Sequence, residues 1–134
     1  MTKHNSVLMI DDDEATLDIY STLLTSRGCG IIAARDGRMG LLMAREFQPK
    51  LIILDMILPD DSGLDVLREL KGRPETCCIP VIILSNAASV ESRLSANLLG
   101  AETYLVKTDL KPSEVWPHIA IHLDADRSDL RDRS

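Results

Sequence analysis

No run of lysine or arginine occurs anywhere in this chain, and its formal net charge is −6. Unassisted nucleic-acid binding needs a basic face, so that function is not expected. No apolar stretch approaches the roughly 20 residues of a membrane span. The opening, residues 1–6, is too short and polar for a secretory leader. Cysteine is scarce and poorly placed for a disulfide framework: Cys29, Cys77 and Cys78 are odd in number, and two are adjacent. A reducing cytoplasm is the compartment this predicts. There is no repeat and no low-complexity tract. What remains is 134 residues, 45% apolar and 27% charged, which suits one soluble globular domain with a core of its own.

Residues 51–63, LIILDMILPDDSG, organise the rest. Four apolar residues in a row suit a strand covered on both faces. The run stops at Asp55. Proline, two aspartates, serine and glycine then make 58–63 a loop. A carboxylate at the C-terminal end of a parallel strand lies on the edge where open α/β sheets carry their chemistry. Alone this is weak, because many strands end on aspartate only to start a turn.

Taken in order, 7–10 is a first strand that stops at Asp11-Asp12-Asp13-Glu14. Leu17, Tyr20 and Leu24 then recur at helical spacing, and Gly28 is a stop. The second strand is 30–34 and the second helix 38–47. A third helix covers 64–71, with Leu64, Leu67 and Leu70 in register. The fourth strand, 80–84, ends at Ser85, and Val90, Leu94 and Leu98 form one stripe of a helix over 89–99. The fifth strand, 103–106, ends at Lys107. A fifth helix is predicted over 112–123, with a kink or a late start because Pro117 falls inside it. Residues 1–123 make the domain, and 124–134 a charged, frayed tail. Five alternations of strand and helix with short links imply a parallel sheet with helices on both faces and right-handed crossovers. The expected fold is a flavodoxin-like (βα)5 doubly wound sheet, strand order 2-1-3-4-5.

In such a sheet the strand ends share one edge. Asp11, Asp12 and Asp13, then Asp55, Ser85 and Lys107, meet in one crevice. Several carboxylates together repel unless a cation joins them. Oxygen ligands of this kind suit Mg2+ or Mn2+. Lys107 offers a point charge for a phosphate oxygen, Ser85 a hydrogen bond, and Asp55 a carboxylate nucleophile able to form an acyl phosphate. Each feature has a plain alternative: a helix cap, a turn serine, a solvated lysine. Four strand ends with complementary chemistry are hard to obtain by chance.

The stretches VLMIDDDE, LIILDMILPDDSG, PVIILS and GAETYLVK resemble the receiver domain of two-component response regulators, over residues 6–123. The resemblance implies a phosphoryl group passed from a phosphohistidine of a sensor histidine kinase or phosphotransfer protein to Asp55. It implies a metal held directly by Asp12, by Asp11 through water, by Asp55 and by the main-chain carbonyl of Ile57. Ser85 maps to the switch hydroxyl, Lys107 to the conserved-type lysine and Tyr104 to the switch aromatic. In the implied switch Ser85 is drawn to the phosphoryl oxygen and Tyr104 turns inward. The face of the fourth helix, fifth strand and fifth helix then changes for a downstream protein partner, as a monomer or a phosphorylation-linked dimer. Tyr104 as plain core packing is the alternative.

Three departures from the family pattern matter. Thr108 stands where proline usually follows the lysine, which predicts a trans bond or a rearranged loop there. Asn86 replaces a small residue beside the switch hydroxyl. Ile57 and Ala87, where the family tunes phosphate lifetime, carry no group able to orient an attacking water, which predicts slow self-dephosphorylation. The domain is expected to catalyse its own phosphorylation and slow dephosphorylation rather than to act as a classical enzyme. Alternatives are a receiver excised from a larger regulator or hybrid histidine kinase, or a phosphate-independent interaction module. A haloacid-dehalogenase-type phosphotransferase is disfavoured by Ile57, where that class has an aspartate. A flavodoxin-like cofactor binder is disfavoured by the four acids after the first strand. A stand-alone receiver is expected because no DNA-binding segment follows the fifth helix.

Overall fold

The computed structural model describes residues 6–123. The tail expected at 124–134 lies outside the described residues. Strands β1 (Ser6–Ile10), β2 (Gly30–Ala34), β3 (Leu51–Leu54), β4 (Val81–Ser85) and β5 (Thr103–Val106) form one parallel sheet. Their order is β2-β1-β3-β4-β5, as expected. Helices α1 (Glu14–Ser26), α2 (Gly37–Phe47), α3 (Gly63–Gly72), α4 (Val90–Leu98) and α5 (Pro112–Ala120) connect and follow the strands.

Both faces of the sheet are covered, and side chains alternate between them with the period of two of a strand. Leu8, Ile10, Ile52, Leu54, Val81 and Ile83 pack with Val66, Leu67 and Leu70 of α3 and Ala96 of α4. Val7, Met9, Leu51, Ile53, Ile82 and Leu84 pack on the other face with Leu17, Tyr20 and Leu24 of α1 and with Val115 and Ile119 of α5. This is why the central strands read as unbroken apolar runs rather than as alternating ones.

Two helices differ from expectation. Helix α5 neither starts late nor reaches residue 123; it runs through Pro117 and ends at Ala120. Pro117 is on the exposed side, so the Ser113 carbonyl that loses its donor faces water, which lowers the cost of an interior proline. In α4 the stripe Val90, Leu94 and Leu98 points outward, 78%, 59% and 78% exposed, and Ala96 is the buried residue. Periodicity finds an apolar stripe but not the direction it faces.

Candidate functional site

Strand pairing sets the strand ends side by side. The Asp11 N–H donates to the Ala34 carbonyl at 2.9 Å, and the Asp55 N–H to the Ile10 carbonyl at 3.0 Å, so each acid stands one step beyond its ladder. Both carboxylates are buried. Asp12 beside them is exposed, and one oxygen from each of Asp11, Asp12 and Asp55 lies within 4.8 Å of the others.

Asp55 is held from both sides. Its Oδ1 accepts the Ser85 hydroxyl at 2.6 Å and the Ile57 N–H at 3.2 Å. Its Oδ2 accepts the Lys107 ammonium at 3.2 Å. The same ammonium lies 2.8 Å from Asp11 Oδ2. That oxygen, sealed from solvent, receives no hydrogen bond of good geometry, so the contact with Lys107 is a charge contact off the hydrogen-bonding direction. Asp11 Oδ1 accepts the Asp13 N–H at 2.9 Å, which turns the chain into α1.

The electrostatics follow. Burial raises the Asp11 pKa; Lys107 and the Asp13 amide pull it back, and the charge of Asp55 adds to the rise. Burial opposes the charge on Lys107, yet Asp11 and Asp55 outweigh it and its pKa is raised. One ammonium thus serves two buried carboxylates, with a third carboxylate at the mouth. A sealed carboxylate oxygen met by the Lys107 charge but by no hydrogen bond, in an all-oxygen donor set, fits a hard divalent cation.

The loop after β3 is fixed by backbone approach. The Gly63 N–H donates to the Met56 carbonyl at 2.7 Å, and Ile57 pairs with Ser62 in a short antiparallel bridge. A Cβ on Gly63 would strike the Asp55 carbonyl and the Met56 Cα. Only glycine lets the chain close there.

Ser85 is the last residue of β4 and is fully buried; its oxygen also accepts the Ala87 N–H at 3.2 Å. The Tyr104 hydroxyl donates to the Ala87 carbonyl at 2.7 Å, and Arg93 lies over the ring at 5.4 Å. Burial raises the tyrosine pKa, so the hydroxyl stays a donor. Ser85 is thus tied to Asp55, and the half-buried Tyr104 to the segment that precedes α4. The Lys107–Thr108 peptide is trans, and Lys107–Asp109 forms a single 3-10 turn.

The sequence reading had no role for Asp60. Its carboxylate accepts the Gly37 N–H at 2.8 Å and the Arg38 N–H at 3.1 Å, joining the loop after Asp55 to the first turn of α2. No local signal announces a contact between loops this far apart in the chain.

A family model described as the response regulator receiver domain matches residues 7–116. The chain belongs to that family. This receiver domain is 40% identical over 101 residues to the transcriptional regulatory protein KdpE of Mycobacterium tuberculosis (strain ATCC 25618 / H37Rv), covering 75% of the chain and 43% of that protein. It spans less than half the length of the curated relatives it matches. A CheY-like response regulator receiver domain protein from Methanospirillum hungatei JF-1 superposes with a TM-score of 0.81 at 27% identity, covering 93% of this chain and 98% of that one. The receiver domain of the sensor histidine kinase PA1611 from Pseudomonas aeruginosa PAO1, solved with magnesium in its active site cleft, superposes at 0.77 with 23% identity, covering 86% and 93%. The relatives named as transcriptional regulators leave the expectation of no nucleic-acid contact without support. Among the described residues no helix is long and apolar enough to cross a membrane.

Proposed function

We propose that this receiver domain is a phosphoacceptor switch whose acceptor is Asp55. The observation that carries the reading is the bracketing of one buried carboxylate by a hydroxyl, an ammonium and a second buried acid. The donor would be a phosphohistidine of a sensor histidine kinase or phosphotransfer protein. An Asp55 oxygen attacks phosphorus, the P–N bond breaks, and the donor imidazole leaves with the electron pair. Lys107 and the Ser85 hydroxyl are placed to take two of the phosphoryl oxygens, so charge is met by preorganised groups.

Mg2+ or Mn2+ would be held directly by Asp12 and Asp55, by Asp11 through water, and by the Ile57 carbonyl. Bound there, the ion would neutralise charge on the acceptor and the transferring group. Magnesium in the cleft of the PA1611 receiver supports this assignment by fold alone. Lys107 already relieves part of the repulsion between Asp11 and Asp55, which keeps the acids together for the ion.

The signal would leave through α4, β5 and α5. Tyr104 on β5 reaches the Ala87 carbonyl ahead of α4, and α4 carries the outward stripe of Val90, Leu94 and Leu98. A protein partner, or a second copy in a phosphorylation-linked dimer, would dock there. The compartment would be the cytoplasm, where such kinases present their phosphohistidine.

Treatment with phosphoramidate and Mg2+, borohydride trapping of the acyl phosphate and peptide mass spectrometry test the reading. Homoserine at position 55 is the expected product. Trapping at any other acid, or at none, overturns it.

A further inference from the structure

We infer that the groove between α2 and α3 binds a small amphiphile carrying one anionic head group, a carboxylate or a phosphate monoester. The groove encloses about 450 Å3, within the range of small-molecule sites. Leu41, Leu42 and Met39 of α2 face Leu70 of α3 across its floor. Leu42 and Met39 remain 44% and 41% exposed, an apolar surface that α3 does not cover.

The rim has the opposite chemistry. Arg38, Arg45 and Arg73 line the groove. Arg73 is spent on Glu69, with Nη2 to Oε1 at 2.9 Å. Arg38 and Arg45 have no ion-pair or side-chain hydrogen-bond partner among the described residues. The one carboxylate in the lining, Asp36, is committed to capping α2 and accepts the Met39 N–H at 2.8 Å. A chain of net charge −6 thus sets three arginines around an apolar floor. Among the described residues two of them are outside any ion pair, although the Arg38 charge also acts on the Asp60 carboxylate. The charge sets the sign of the ligand. Guanidiniums take carboxylate and phosphate oxygens in pairs of parallel hydrogen bonds. Their aliphatic stems extend the apolar wall beneath the heads. The ligand needs both parts: the head alone would leave the floor exposed, and an uncharged chain would leave the guanidiniums in water.

Titration of the full chain with octanoate, octyl phosphate, octanol and inorganic phosphate, followed by calorimetry and amide NMR shifts, tests the proposal. Saturable one-to-one binding of octanoate or octyl phosphate is expected, with shifts centred on residues 38–45 and 70–73. The tighter of the two identifies the head group. Octanol and inorganic phosphate should each bind at least tenfold more weakly. Arg38→Gln and Arg45→Gln, both at exposed positions, should each weaken binding about three- to tenfold. The proposal is overturned by no saturable binding of either octyl anion, by equal binding of octanol, or by shifts elsewhere on the domain. Binding unchanged in both arginine variants overturns it as well. So does capture of an acidic amphipathic peptide where both octyl anions fail, which would give the groove to a protein.

Discussion

The Ser85 hydroxyl donates to Asp55 Oδ1 at 2.6 Å across the neighbouring ends of β3 and β4. The same serine oxygen accepts the Ala87 amide, and the Ala87 carbonyl accepts Tyr104. A continuous path of three hydrogen bonds therefore joins the Asp55 carboxylate to β5 and to the loop that starts α4. One residue, Ala87, links Ser85 to Tyr104 in that path.

Lys107 is the cation shared by two buried carboxylates. Lys107→Ala should destabilise the domain in metal chelator by about 2 kcal/mol, because breaking a buried pair leaves its acids uncompensated. Millimolar Mg2+ should recover part of that loss. Denaturant melts with and without Mg2+ measure both effects; a variant as stable as the parent in chelator contradicts the assigned role.

Gly63 sets the loop that carries Asp55 into α3. A methyl group there meets backbone at Asp55 and Met56, which cannot rotate away. Gly63→Ala should cost about 1–3 kcal/mol and slow phosphorylation. Gly72→Ala is the control, since nothing lies within 4 Å of its added Cβ. Equal stability of the two variants would remove the steric account.

Asp60 gives a pH signature. The Gly37 amide, and after it the Arg38 amide, hold its carboxylate below the ordinary 3.8 in the folded chain. A depressed folded pKa contributes stability that is fully present above the unfolded value and is lost as pH falls through the folded one. The stability gap between parent and Asp60→Ala should therefore be constant from pH 7 to about 5 and shrink below pH 4. A gap that widens on acidification contradicts this.

Ile57 is 66% exposed at the mouth of the site and, like Ala87, offers no polar side chain to a water. The phosphorylated form should decay over many minutes in Mg2+ after donor removal. Ile57→Asn and Ala87→Glu should shorten that lifetime several-fold. Decay within seconds in the parent domain would contradict the reading.

Much of this was legible because buried parallel strands leave strong marks. The apolar runs before Asp11, Asp55, Ser85 and Lys107 locate four strand ends, and a parallel sheet puts those ends on one edge. Alternation of elements implies a parallel sheet; the order 2-1-3-4-5 came with the flavodoxin-like fold, and the pairing agrees with it. What could not be read depends on direction or on distant contact. The stripe of α4 points outward, and Ala96 is the residue by which that helix enters the core. Pro117 is tolerated because its helix face is wet. Asp60 meets α2 through folding alone, its acceptor lying 23 positions along the chain from the donor. The placement of Tyr104 includes a bond to the Ala87 carbonyl, which no pattern of side chains encodes.

The most direct measurement is the intact mass of the chain after acetyl phosphate and Mg2+, beside Asp55→Ala and a chelated sample. One added phosphoryl group that disappears in both controls is the predicted result. No addition, or an addition that persists in Asp55→Ala, would contradict a phosphoacceptor at Asp55.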